Sequence, residues 1–102
     1  MSRRETLLKM LEKEPDDAFL NYALAMEHLK GSSPDEALEQ FDRVLAIDPD
    51  YIGAYQQKSQ LLMKHGRTVE ARACLDRGIR AASTKGDLHA AEELRGLLAE
   101  LT

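Results

Sequence analysis

Laid on itself at a displacement of 34 residues, the chain repeats. Pro15 falls on Pro49 and Asp16 on Asp50; the same displacement pairs Lys30 with Lys64, Glu36 with Glu70, Ala37 with Ala71, Asp42 with Asp76 and Arg43 with Arg77. Six identities fall in the block 16–49 laid on 50–83, and the apolar columns add more weight. Leu7, Phe41 and Leu75 form one column; Leu11, Leu45 and Ile79 form another. A period of this length marks a supersecondary unit that buries its apolar face only by stacking on copies of itself.

Punctuation divides that period into helices. Ser2-Arg3-Arg4-Glu5 reads as a capping box opening a helix to about Lys13, with Leu7, Leu8, Met10 and Leu11 as its apolar side, stopped by Pro15. Asp16 or Asp17 caps a second helix, roughly 18–30, that ends near Gly31. In Ser33-Pro34-Asp35-Glu36, the serine is an N-cap, the proline sits where its missing N–H costs nothing and the glutamate closes a second capping box. That third helix carries Ala37, Leu38, Phe41, Val44 and Leu45 and ends at Pro49. Asp50 caps a fourth, closed by a left-handed turn at Gly66. The fifth runs from about Thr68 to Ala82, and a break over Ser83-Thr84-Lys85-Gly86-Asp87 precedes a sixth with the stripe Leu88, Ala91, Leu94, Leu98 and Leu101. No alternating Val/Ile/Thr run reads as a strand, and loops this short make neighbouring helices antiparallel hairpins.

Ala37-x-x-x-Phe41…Pro49 and Ala71-x-x-x-Leu75…Ser83 resemble the second half of a tetratricopeptide repeat, a helix–turn–helix unit of 34 residues. Leu24-Ala25 is similar to the family's Leu-Gly pair, Tyr55 stands at its large aromatic position, Gly66 at its inter-helix glycine and Gly78 at the small residue where helices approach. The resemblance implies an all-α protein, a right-handed α-solenoid of about six antiparallel helices in a single domain, 1–102. Residues 1–17 would form an N-terminal half-repeat helix, 18–51 and 52–85 two full repeats, and 86–102 a C-terminal capping helix. Asn21, His28, Lys58 and Ser83 depart from the family pattern, at positions usually aromatic, Tyr, Leu and Pro.

The resemblance also implies a function: a scaffold or adaptor that binds a peptide or helix of a partner protein in a concave groove lined by the first helix of each repeat, without catalysis. Its groove positions fall here on Phe19, Tyr22, Ala23, Met26, Leu29 and Lys30, then on Gly53, Gln56, Gln57, Gln60, Met63 and Lys64. One half is apolar and adaptable; the other is rich in amides that both donate and accept hydrogen bonds. Some members grip a partner's terminal carboxylate with Lys and Asn, but Tyr22, Met26 and Gln57 occupy those places, and that clamp is absent. Three readings of the apolar half stay open: a partner groove, a face for self-association into a homodimer, and a core covered by the sixth helix.

The remaining composition narrows the field. Fourteen Lys+Arg stand against eighteen Asp+Glu, a net of −4, with both signs interspersed and no basic block, which speaks against nucleic acid or an anionic membrane as a partner. No apolar run approaches the ~18 residues that span a bilayer, and the charged start is unlike a secretory signal. A cytoplasmic protein with its natural N-terminus is the expectation, and the single Cys74 suits a reducing compartment. No phosphate-binding glycine loop occurs, and Cys74 has no histidine at a fixed local spacing to activate it. His28 reads as a satisfied core residue, His65 as the end of the fourth helix, and His89 with Glu92 and Glu93 as a solvated face, so no catalytic residue, cofactor or metal is expected. Glu5 with Lys9 and Glu39 with Arg43 have the spacing of helix-supporting pairs.

Overall fold

A computed structural model describes residues 1–31 and 33–101; the expected first repeat and capping helix each include one residue, Ser32 and Thr102, outside that set. Among the described residues every regular element is an α-helix, in the order α1 (Arg3–Lys13), α2 (Ala18–Lys30), α3 (Pro34–Ile47), α4 (Ile52–Lys64), α5 (Thr68–Lys85) and α6 (Leu88–Ala99). They form two compact units, 1–49 and 50–102. The all-α class and the helix-hairpin organisation expected from the sequence are those observed.

In the first unit α2 packs on both α1 and α3. Ser2 caps α1, its Oγ accepting from the Glu5 N–H at 3.1 Å, and Asp17 caps α2, accepting from the Leu20 N–H at 2.9 Å. Leu7 and Leu11 meet Leu20 and Ala23 between α1 and α2. Leu8 and Met10, expected on the apolar side of α1, are 43% and 45% exposed. They flank a stripe of which α2, a single neighbour, covers only the middle.

The second capping box does not form. Ser33 stands at the N-cap of α3 without a side-chain cap bond, and the Glu36 carboxylate instead lies 3.1 Å from His28 Nδ1 across the hairpin. Pro34 does occupy the first turn, where its lack of an N–H removes no helical bond. Arg43, spaced to support Glu39, reaches back to the preceding loop, donating to the Pro15 carbonyl and the Asp16 carboxylate at 3.3 and 3.2 Å.

In the second unit α5 packs on α4 and on α6. Tyr51, one residue beyond the expected Asp50, is the N-cap of α4 and makes no side-chain cap bond. Gly66 turns left-handed at φ 71°, as expected, and lets the Arg67 N–H bond the Leu62 carbonyl at 2.9 Å. α5 runs three residues past the expected end, through Ser83, Thr84 and Lys85, to Gly86 at φ 76°. Ser and Thr only weaken a helix, whereas Gly86 takes the left-handed conformation that ends one, with the Asp87 N–H closing on the Ala82 carbonyl at 2.9 Å. Asp87 then caps α6, which buries Ala90, Ala91 and Leu94; Leu88, expected in its stripe, is 70% exposed.

The candidate partner-binding faces of α2 and α4

α2 is contacted from two sides. Leu20 and Ala23 point to α1, while Asn21 and His28 bond Gln40 and Glu36 of α3. The third side carries most of the expected groove residues of this helix. Phe19 is 64% exposed, Tyr22, Met26 and Leu29 are half-buried, and Lys30 is exposed at the end. Spacings of three and four residues keep Phe19, Tyr22, Met26 and Leu29 on one strip. The Tyr22 ring is propped from beneath by Phe41, centroids 6.0 Å apart and planes inclined by 58°, so that a core side chain of α3 sets the presentation of an α2 side chain. Lys30 is held along the helix, its Nζ 3.1 Å from Glu27, which also takes Arg3 Nε of α1 at 3.3 Å. Ala23, assigned to the groove with these, lies in the core against Leu7 and Leu20, on the face that meets α1.

In the second unit, α4 turns Tyr55, Ser59 and Leu62 inward and leaves Gly53, Gln56, Gln57 and Met63 half-buried, with Gln60 and Lys64 exposed. Gln56 is partly engaged, its Nε2 donating to Glu93 of α6 at 3.4 Å. Glu93 in turn meets His89 Nε2 at 2.6 Å, an exposed contact between residues one turn apart along α6. Among the described residues no three His, Cys, Asp or Glu side chains gather as they would around a metal.

Behind that face the packing is tight. A Cβ on Gly78 would lie 2.8 Å from Tyr55 Cβ, and the Cys74 thiol donates to the Tyr55 carbonyl at 3.6 Å. Burial pushes the Tyr55 hydroxyl above its ordinary value, opposed by the charge of Arg77, whose guanidinium carbon stands 6.0 Å from the ring centroid. Cys74 is buried as a small packing residue.

Two polar features stand where the sequence departs from the family pattern, and their partners had no sequence signal. Asn21, which departs from the family's aromatic, is 2% exposed and satisfied three ways: Nδ2 donates to the carbonyls of Pro15 and Asp17 at 3.1 and 2.8 Å, and Oδ1 accepts from Gln40 Nε2 at 2.6 Å. His28, where the family has Tyr, keeps its side chain 10% exposed and is paired with Glu36, as a satisfied core histidine should be. Asn21 and Gln40 lie nineteen residues apart, and only the α2–α3 hairpin makes them neighbours.

Two three-helix units built from antiparallel hairpins, with a sequence period of 34 residues, define a helical-repeat protein. The sequence profile described as "Tetratricopeptide repeat" matches residues 28–101, and the chain belongs to that family. A TPR repeat-containing protein of Pseudomonas aeruginosa is 30% identical over 97 residues, covering 95% of this chain and 92% of that one. The solution structure of a tetratricopeptide repeat domain protein from Salinibacter ruber is similar at a TM-score of 0.80 and 34% identity, covering 85% of this chain and 88% of the other. The TPR2B domain of yeast Sti1, in a complex with pHsp70, shares the fold at a TM-score of 0.86 and 20% identity, over 96% of this chain and 78% of the other. Among the described residues no helix is long and apolar enough to cross a membrane.

Proposed function

We propose that the chain is a protein-interaction module that holds an extended or helical segment of a partner protein on the exposed face of α2 in the first unit, with the exposed face of α4 as a separate contact surface of the second, without catalysis. The observation that carries this reading is Phe19, a large aromatic left 64% exposed on the same strip as Tyr22 and Met26. An aromatic anchor beside an adaptable methionine is the composition of an interaction hot spot, and its burial by a partner would supply most of the affinity. On α4, Gln57 and Gln60 suit a peptide backbone, since an amide both donates and accepts. The complex of the yeast domain with pHsp70 supports the reading at the level of the shared fold. The partner differs in how it is gripped, because Tyr22, Met26 and Gln57 stand where a carboxylate clamp needs Lys and Asn.

A peptide selected from a random display library against this chain tests the proposal. Amide chemical-shift mapping is expected to place that peptide on α2 and α4, and Phe19→Ala to weaken it at least tenfold with the circular dichroism spectrum unchanged. Shifts confined to other helices, or full affinity in Phe19→Ala, would overturn it.

A further inference from the structure

α1 and α6 each present a face that nothing in their own unit covers. In the 34-residue register α1 is the equivalent of α3 and α5, the second helices of their hairpins. On those two helices the face toward the first helix is packed. Gln40 bonds Asn21, Gly78 lies against Tyr55, the Cys74 thiol bonds the Tyr55 carbonyl, and Ala37, Ala71 and Val44 are fully buried. The same positions of α1 are Arg3, Thr6, Met10 and Lys13, all exposed. Beside Met10 a shallow open depression of about 280 Å³ is lined by Lys9, Met10, Glu12 and Lys13.

α6 has the opposite character. Asp87 caps it through the Ala90 N–H as Asp17 caps α2 through the Leu20 N–H, so it opens as the first helix of a hairpin does. Its Ala90, Ala91 and Leu94 are buried, while Leu88, Glu92, Arg95 and Gly96 are exposed, and a Cβ on Gly96 would meet nothing within 4 Å. The charges of the two helices are complementary. α1 carries Arg3, Arg4, Lys9 and Lys13 against Glu5 and Glu12, four bases less two acids, a net of +2. α6, counted in the same way over Leu88–Ala99, carries Glu92 and Glu93 against Arg95, two acids less one base, a net of −1.

We propose that this chain associates head to tail with further copies of itself, α6 of one copy seated on α1 of the next where α2 sits on α3 within a copy. The joint completes a hairpin from two chains, with Met10 adapting to the open space at Gly96 and the basic rim of Lys9 and Lys13 meeting Glu92 and Glu100. The surfaces that meet are different, so the contact is heterologous and builds rings where its rotation closes and open chains where it does not. It leaves the partner-binding faces of α2 and α4 unused and stands or falls separately from them.

Light scattering and sedimentation over about a hundredfold concentration range test this contact. The weight-average mass is expected to climb past twice 11.4 kDa with concentration and to fall as salt screens the rim. Lys9→Glu with Lys13→Glu, and separately Glu92→Lys with Glu100→Lys, alter exposed residues and are expected to keep native helicity while weakening association at least tenfold. An equimolar mixture of the two variants is expected to regain it, because each supplies the charge the other lacks. A mass fixed at one copy, undiminished association in either variant, or no recovery on mixing would overturn the proposal.

Discussion

Gly78→Ala isolates how closely α4 and α5 must approach. A methyl there would lie 2.8 Å from Tyr55 Cβ, 3.0 Å from Tyr55 Cγ and 3.1 Å from Leu94 Cδ1. The first of these contacts is the hardest to relieve, because Cβ is fixed to the α4 backbone and moves only if the helices separate. Alanine in a helix interior gains about 1 kcal/mol over glycine from propensity. Overpacking a buried contact costs about 1–3 kcal/mol, and a neighbour tied to backbone puts this site at the upper end. The net expectation is a loss of about 1–2 kcal/mol, or a fall in Tm of roughly 5–15 °C for a domain of this size. Gly96→Ala is the control, since α6 leaves open space there, and it should gain about 0.5–1 kcal/mol. Urea and thermal unfolding followed by circular dichroism measure both. If Gly78→Ala proved as stable as the parent while Gly96→Ala gained, the close approach of α4 and α5 would be refuted.

Two further outcomes follow from buried polar groups. Asn21→Ala should cost about 1–3 kcal/mol in urea unfolding, because Gln40 loses its acceptor and the Asp17 carbonyl a donor, while the Pro15 carbonyl keeps Arg43; a change within experimental error would remove the network from the core. Tyr55, held protonated above its ordinary 10.0 chiefly by burial, should lend stability that is complete below about pH 10 and is lost as pH rises through the folded-state pKa. Tyrosinate absorbance should then show a step above the ordinary tyrosine range, and Tyr55→Phe should remove that step; a folded chain with no step above that range would contradict it.

The exposed strip of α2 proposed to meet a partner was legible in part because a helix face is a property of spacing. Phe19, Tyr22, Met26 and Leu29 fall on one strip whatever the surroundings. Ala23 was misplaced because it borders that strip, and only the position of α1 decides which border residue is covered. The same limit applies to α1, where four apolar residues occupy one arc and a single neighbouring helix reaches Leu7 and part of Leu11.

Local chemistry settled the rest of what the sequence determined. Helix propensity, Asp17 as a cap, Pro34 in a first turn and Gly66 in a left-handed turn each act within a few residues, so their outcome needs no distant partner. The 34-residue register then assigned the helices to hairpins, since short loops leave each helix its neighbour to pack on. What tertiary structure alone decided are the contests between a local bond and a distant one. Glu36 abandons the Ser33 capping box for His28, Arg43 passes over Glu39 for Pro15 and Asp16, and Asn21 takes an aromatic's place because Gln40 faces it. Each is a contact between helices or loops that only the folded hairpin brings together; at Asn21, which is 2% exposed, burial makes the well-placed Gln40 partner worth more than it would be in water.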